Sequence, residues 1–184
     1  PLGNTAGLWC EVLESVECLK GNGPSDLMQV VYHLGQKALE IAGIENSEEK
    51  LKSNIKNGKA IKKFEEMIIA HGGETEMLGT PQLHKPKFRK EIFAKEDGFI
   101  GEIDTLQLGQ AVVQLGGGRI HKNDKIDYST GILFHKKIGE FIGKGEPILE
   151  YFCSNSIKFE SGENLLKNIF TIQTQKPNIP PLFY

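Results

Sequence analysis

The sequence of 184 residues has few of the features that assign a chain to a class at first sight. Its three cysteines include no Cys-x-x-Cys unit, and its apolar runs fall far short of the roughly 20 residues that cross a bilayer. The 22 Lys and Arg are balanced by 24 Asp and Glu, so the positive excess of a nucleic-acid binder is missing. No charged and apolar leader opens the chain. We therefore expect a cytoplasmic globular protein that binds neither nucleic acid nor membrane.

Motifs of catalysis and metal binding are also missing. The five histidines form no His-x-x-x-His pair, and there is no Gly-x-Ser-x-Gly elbow. A glycine run, Leu115-Gly116-Gly117-Gly118-Arg119, resembles a phosphate loop only superficially, because it follows a predicted helix and lacks Gly-Lys-Ser/Thr. A helix end followed by a flexible loop is the favoured interpretation. The residues by themselves predict no catalytic group.

Residues 1–74 are predicted to form a helical segment. Apolar residues recur there at spacings of three and four in four stretches, and each stretch ends at a glycine. The second stretch, from Ser25 to Ala42, carries a continuous apolar stripe before Gly43. Mixed charges between Glu45 and Glu66 are typical of a solvated surface.

Residues 75–90 are predicted to be a linker, and residues 91–184 a β-rich C-terminal domain. Pro81 and Pro86 interrupt the linker, where helix and sheet are both disfavoured. Short strands bounded by glycine follow, and the predicted strands are 91–94, 99–103, 126–128, 132–135 and 148–152. Helices are predicted at 106–115 and 162–169, and an extended tail at 176–184. Helices followed by strands indicate an α+β fold.

The segment from Gly131 to Phe152 resembles half of a biotinyl or lipoyl carrier domain. Its lysines, Lys136, Lys137 and Lys144, lie between two predicted strands. The Met-Lys-Met or Asp-Lys-Ala hairpin of those carriers is absent, which disfavours a swinging-arm lysine. A non-catalytic carrier or interaction module stays an alternative function.

Many blocks in order resemble the thymidine phosphorylase and pyrimidine nucleoside phosphorylase family. The first blocks are Pro1-Leu2-Gly3, Glu11-Val12 with Glu14, and Leu19-Lys20-Gly21-Asn22-Gly23-Pro24-Ser25-Asp26-Leu27. Further blocks are Asn57-Gly58-Lys59-Ala60, Ala70-His71-Gly72-Gly73, Ala94-Lys95-Glu96-Asp97-Gly98-Phe99-Ile100, Leu115-Gly116-Gly117-Gly118-Arg119, Asp124-Lys125-Ile126-Asp127 and Gly143-Lys144-Gly145-Glu146. Each block alone is weak, but together they cover essentially the whole chain.

The resemblance implies the C-terminal part of an enzyme that converts thymidine and phosphate to thymine and 2-deoxyribose 1-phosphate. The family's Lys-His-Ser-Thr-Gly-Gly phosphate motif and its pyrimidine-binding residues lie upstream of the Pro-Leu-Gly block. We therefore expect this segment to be inactive alone and to belong to a homodimer. Its helical part should be the end of the family's large α/β domain, followed by a hammerhead-like β-rich C-terminal domain. The matched blocks leave open a related phosphorylase of nucleoside monophosphates.

The resemblance also implies a potassium site in the complete enzyme, where no cofactor takes part in the chemistry. Backbone carbonyls of Leu2 and Thr5 and the carboxylate of Glu14 stand at the family's ligand positions. Oxygen ligands suit such a hard cation. The alternative is that Glu14 is an ordinary residue of the helix surface.

Overall fold

A computed structural model describes residues 1–183; Tyr184, the end of the predicted tail and C-terminal domain, lies outside the described residues. Six α-helices and two antiparallel sheets occur in that part of the chain, which confirms the predicted α+β class. The chain divides into two compact units. The sheet unit contains Pro1, Gly3–Glu11 and the chain from His84 onward, and the helical unit contains Leu2 and Val12–Leu83. The predicted boundaries at 74 and 90 and the hammerhead-like shape stay predictions.

The helical unit follows the stretches marked by apolar periodicity. Its helices are α1 (Trp9–Lys20), which begins in the sheet unit, α2 (Ser25–Ile41), α3 (Ser47–Lys56) and α4 (Lys59–Ala70), followed by a 3₁₀ turn at Thr75–Gly79. Helix α3 packs on both α2 and α4. A membrane-spanning helix is not found among the helices of residues 1–183.

The sheet unit contains seven strands and two helices within the described residues. The strands are β1 (Thr5–Gly7), β2 (Phe88–Phe93), β3 (Gly98–Ile103), β4 (Gly131–Phe134), β5 (Phe141–Ile142), β6 (Pro147–Cys153) and β7 (Phe170–Gln173). One sheet has the order β1-β4-β6-β2 and the other β5-β3-β7. The helices are α5 (Thr105–Val112), extended by a π turn at Val113–Gly117, and α6 (Ser156–Leu166).

Two apolar clusters hold the sheet unit together. The larger lies between the four-stranded sheet and helices α5 and α6, and its buried members are Leu108, Ala111, Leu115, Ile132, Phe134, Leu149, Tyr151, Cys153, Leu166 and Ile169. The smaller involves the three-stranded sheet, and its members are Ala94, Ile100, Ile103, Ile142 and Ile148. Strand β6 contributes to both clusters, because successive side chains along a strand point to opposite faces. Its buried residues are Ile148, Leu149 and Tyr151–Cys153. Of these, Leu149, Tyr151 and Cys153 belong to the larger cluster and Ile148 belongs to the smaller.

Strand β1 was not predicted, and the predicted strand at 126–128 is wrong. Thr5, Ala6 and Gly7 pair with Leu133, Ile132 and Gly131, so the first residues of the chain form an edge of the four-stranded sheet. Residues 126–128 instead lie in irregular structure and the start of a turn. The Asp127 side chain accepts hydrogen bonds from the following residues there, which favours a turn over a ladder.

Candidate functional site

The structure brings the N-terminal segment and the glycine loop together within the sheet unit. The main-chain N–H of Leu8 donates to the carbonyl of Thr130 at 3.2 Å, and that of Trp9 donates to the carbonyl of Tyr128 at 3.3 Å. Two segments that lie far apart in the sequence therefore meet beside β1 and β4. We call this region, residues 3–11 with 115–130, the loop site.

Close approach of two backbones explains two glycines at the edge of the loop site. Gly7 and Gly131 face each other across the β1–β4 ladder. A Cβ on Gly7 would lie 2.6 Å from the Cα of Gly131, and a Cβ on Gly131 would lie 2.5 Å from the Cys10 Sγ. Neither position has room for a side chain without displacing its neighbours.

The glycine run ends helix α5 as predicted, through a π turn in which Gly116 has a φ of 111°. The Gly116 carbonyl accepts from the Asp127 N–H at 2.9 Å, and the Leu115 carbonyl accepts from the Thr130 hydroxyl at 3.2 Å. These bonds close the root of the loop. Only its tip, which carries the exposed Arg119, extends from the closed root.

Asp124 accepts main-chain hydrogen bonds from the residues that follow the glycine run. One oxygen of its carboxylate accepts from the main-chain N–H of Ile120 at 3.0 Å and of His121 at 2.8 Å. These bonds, above all that from His121, lower the pKa of the Asp124 carboxyl, so it is ionised at neutral pH. Those two N–H groups therefore bind a carboxylate of the chain itself and are not free to bind a phosphate.

Asp127 joins the loop to the end of β6. Its Oδ1 accepts from the Ser129 N–H at 3.0 Å and from the Ser129 hydroxyl at 2.5 Å, while its Oδ2 accepts from the Ser154 N–H at 2.6 Å. The hydroxyls of Ser129 and Ser154 lie 2.7 Å apart. Both oxygens of the carboxylate therefore accept hydrogen bonds that hold the fold.

An aromatic group borders the loop site. The His84 ring lies between Trp9, at 5.3 Å in an edge-on arrangement, and Tyr128, at 5.4 Å. A residue within the predicted linker therefore packs against both the N-terminal segment and the loop. The sequence did not predict this contact, since residues 9, 84 and 128 lie far apart in the chain and form no local pattern.

The thiols of the chain are not prepared for nucleophilic chemistry. Burial, together with the neighbouring Glu11 carboxylate, raises the pKa of the Cys10 thiol to about 11. Burial also raises the pKa of Cys18 and of Cys153. Because the thiolate is the reactive form, all three thiols react slowly at neutral pH. Cys18 and Cys153 are buried, whereas Cys10 is only partly buried.

The three predicted potassium ligands belong to different units. Thr5 lies on β1 of the sheet unit, and its hydroxyl oxygen is buried without a hydrogen-bond partner among the described residues. Leu2 and Glu14 belong to the helical unit, Glu14 on helix α1. No group of three His, Cys, Asp or Glu residues within 1–183 is arranged to hold a metal ion. The potassium site stays a prediction.

The lysines considered for a carrier role have contacts of their own. The Lys136 ammonium donates to the carbonyl of Phe141 at 3.0 Å and lies 3.6 Å from the Glu146 carboxylate. Lys144 lies in the turn before β6, where its main-chain N–H donates to Asp97 at 2.6 Å. The carrier alternative stays untested by these contacts.

Comparison with known proteins places the chain in a family. Residues 99–173 match the model of the pyrimidine nucleoside phosphorylase C-terminal domain. A pyrimidine-nucleoside phosphorylase of Staphylococcus epidermidis is 36% identical over an alignment that covers 100% of this chain and 43% of that protein. The corresponding protein of Bacillus subtilis is 35% identical over 84% of this chain and 37% of its own length.

A thymidine phosphorylase of Metamycoplasma hominis is 32% identical over 92% of this chain and 64% of its own length. The chain thus spans less than half the length of the Staphylococcus and Bacillus relatives. The matched blocks, the matched domain and the full coverage of this chain agree with one another. The chain belongs to the pyrimidine nucleoside phosphorylase family, of which it represents the C-terminal portion.

Proposed function

We propose that the protein to which this segment belongs carries out phosphorolysis of pyrimidine nucleosides in the cytoplasm, as a homodimer. The match of residues 99–173 to the family's C-terminal domain carries this proposal. In the reaction a phosphate oxygen forms a bond to the anomeric carbon of the sugar while the bond to the pyrimidine nitrogen breaks. Thymidine and phosphate thereby give thymine and 2-deoxyribose 1-phosphate, with no change of oxidation state.

The segment alone is inactive in this proposal. Its acidic groups in the loop site, Asp124 and Asp127, are committed to main-chain donors, and its thiols are protonated. Phosphate needs positive groups and free donors for its attack, and the family supplies these from the upstream part. Thymine release, followed by ultraviolet absorbance, should be absent for the 184-residue chain and present when the upstream part of the coding frame is included. Activity of the short chain by itself would contradict the proposal.

Arg119 is the residue of this segment that we propose to assist substrate binding. It is exposed at the tip of the glycine loop, and no other described residue forms an ion pair with it. In the longer protein, Arg119→Ala should change kcat and KM for thymidine without lowering the melting temperature. A large loss of stability would instead make Arg119 a structural residue.

Substrate class follows from the same assay. Thymidine, uridine and thymidine 5′-monophosphate, compared at equal concentrations, distinguish a nucleoside enzyme from a nucleotide enzyme. The relatives are named for nucleosides, and we expect the monophosphate to react at least tenfold more slowly by kcat/KM. Preference for the monophosphate would replace the nucleoside proposal by its nucleotide alternative.

Potassium is proposed to bind the longer protein through the carbonyls of Leu2 and Thr5 and the carboxylate of Glu14. Oxygen donors of this kind fit the cation, and the unpaired Thr5 hydroxyl is a further polar group at the same position. Its contribution there is structural, since it takes no part in bond making. The longer protein should melt higher in potassium than in a bulky organic cation, and Glu14→Gln should remove the difference. Equal melting temperatures of the unmutated protein in both salts would remove the site.

A further inference from the structure

Lys158 is a cation at a position where helix α6 itself disfavours one. Asn155 caps the N-terminus of α6 by accepting from the Lys158 main-chain N–H at 3.0 Å, so Lys158 is the third residue of the helix. Acidic residues suit this turn because the N-terminus of a helix carries a partial positive charge, yet the first turn of α6 contains none. The stability of α6 therefore does not explain a lysine here.

The side chain of Lys158 lies on the root of the glycine loop. One helical turn further along α6, Gly162 packs on Leu115 so tightly that no side chain would fit between them. Residues four apart share one face of a helix, so Lys158 faces the same glycine run. Its Cδ lies 3.2 Å and its Nζ 3.5 Å from the point where a Cβ on Gly116 would be. The lysine therefore lies against the buried main chain of Gly116.

The Lys158 ammonium is near two carboxylates of the loop site. The Asp127 Cβ lies 3.3 Å from the same point beside Gly116, which puts it less than about 7 Å from the ammonium nitrogen, within the range of charge attraction. The main-chain bond from His121 lowers the pKa of the Asp124 carboxyl most, and the Lys158 charge also lowers it. Within residues 1–183, no carboxylate is close enough to Lys158 for a direct ion pair, so the attraction acts across a gap.

The position of the loop tip depends on how firmly its root is held. The Gly116 carbonyl accepts from the Asp127 N–H at 2.9 Å, and the exposed Arg119 follows three residues after Gly116. Gly116 has a φ of 111°, and glycine loses more conformational freedom than any other residue when it is fixed. A charge that attracts the loop acids from behind Gly116 therefore limits the movement of the root and of the tip that it carries.

We propose that Lys158 is a positioning residue, whose ammonium holds the closed root of the glycine loop through the Asp124 and Asp127 carboxylates and thereby orients Arg119. The hold on the root does not depend on the proposed phosphorolysis, whereas an effect on substrate binding rests on it. The competing explanation is that only the alkyl stem of Lys158 packs on Gly116. Variants that separate the charge of the side chain from its stem distinguish the two.

Trypsin cleavage of the 184-residue chain, followed by mass spectrometry, tests the hold on the root. The exposed loop offers cleavage sites after Arg119, Lys122 and Lys125, and cleavage there follows transient opening of the root. Lys158→Met keeps the stem and removes the charge, and it should accelerate cleavage in the loop about fivefold. Lys158→Arg keeps the charge, and Lys144→Met is the matched control on an exposed turn of the same unit. Both should stay within about twofold of the unmutated chain.

The cleavage is repeated at about 1 M salt, where the difference between Lys158→Met and the unmutated chain should shrink, because salt screens charges that are only partly buried. A small chromogenic substrate corrects for the effect of salt on trypsin itself. Equal loop cleavage of Lys158→Met and the unmutated chain at low salt would overturn the proposal. Fast loop cleavage of Lys158→Arg would also overturn it, because the stem and not the charge would then hold the root. An equal acceleration at sites outside the loop would mean a general loss of stability and would contradict the proposal.

Kinetics of the longer protein test the effect on Arg119. Lys158→Met should raise KM for thymidine about threefold, and Lys158→Arg should restore it. In the Arg119→Ala background Lys158→Met should add nothing, because its effect passes through Arg119. An equal rise of KM in both backgrounds would refute the action through Arg119.

Thymine release and loop cleavage are recorded on the same samples of the longer protein. Faster loop cleavage of Lys158→Met in a protein that releases no thymine when unmutated would refute the proposed phosphorolysis and leave the hold on the root. Thymine release with unchanged loop cleavage would refute the hold on the root alone.

Discussion

The isosteric substitution Asp127→Asn probes how the glycine loop is held. Each oxygen of the Asp127 carboxylate accepts from a different main-chain donor, Oδ1 from Ser129 at 3.0 Å and Oδ2 from Ser154 at 2.6 Å. An amide has one oxygen, so its NH₂ group must face one of these N–H donors. The variant thus loses a charge-assisted bond and leaves a donor unpaired, which costs about 2–3 kcal/mol of the free energy of unfolding.

Asp124→Asn is the matched control in the same loop. A single oxygen of the Asp124 carboxylate accepts from both Ile120 and His121, at 3.0 and 2.8 Å. The oxygen of an amide can take that position while its NH₂ group points to solvent. We expect a loss below about 1 kcal/mol, mainly from the missing charge.

Urea unfolding followed by tryptophan fluorescence measures the difference. The chain has one tryptophan, and Trp9 lies in the sheet unit with its ring near His84, so its signal reports the unit that contains the loop. This matters because two compact units need not unfold in one transition. Equal losses for Asp127→Asn and Asp124→Asn would refute the argument that the two oxygens have separate donors.

Three further results are expected. Glu163 binds Lys90 at 2.8 Å and Lys167 at 3.4 Å, and the bond from Lys90 lowers the pKa of the Glu163 carboxyl. Its stabilisation is therefore present above the unfolded-state pKa and lost as pH falls through the folded-state pKa, so Glu163→Gln should cost about 1 kcal/mol in urea unfolding at pH 7. The cost should shrink as the pH falls through the folded-state pKa, whereas a pH-independent loss would speak against the ion pairs. Gly131→Ala brings a methyl group to 2.5 Å from the Cys10 Sγ and 2.7 Å from the Phe152 ring. We therefore expect the free energy of unfolding to fall by about 2 kcal/mol or more in the same assay. An unchanged free energy of unfolding would show that the β1–β4 ladder can shift to accept the methyl group. Finally, alkylation of Cys10 in the folded chain should be slow at pH 7.5 and accelerate only as pH approaches about 11; rapid reaction at pH 7.5 would contradict the effect of burial.

The outcome of the sequence analysis differs between the two halves of the chain. Helices α1 to α4 were predicted because each turn of a helix is stabilised by residues three and four positions away, which the sequence itself displays. The start of α6 was placed too late, at Gly162, although Asn155 at its N-cap accepts from the Lys158 N–H at 3.0 Å. Asn followed by a helical stretch was the overlooked signal. Strands β5 and β7, of two and four residues, were too short to show alternation.

The loop site illustrates what local patterns do not contain. Strand β1 has three residues, and its only clue was a short segment between two glycines, Gly3 and Gly7. Likewise, the strand predicted at 126–128 contains Asp127, whose carboxylate closes a turn with Ser129. A side chain that bonds to nearby backbone competes with the ladder, and residue preferences alone did not show which would prevail.

The sequence by itself determined the helices of residues 9–70, the α+β class and the family, because periodicity, glycine stops and ordered blocks are properties of the chain read from end to end. Only the tertiary structure decided that residues 5–7 join the sheet of residues 131–134 and that His84 lies between Trp9 and Tyr128. The physical reason is the same in each case. The hydrogen bonds, ring contacts and burial that define these features come from residues far away in the chain, and a contact between distant segments leaves no period in either of them.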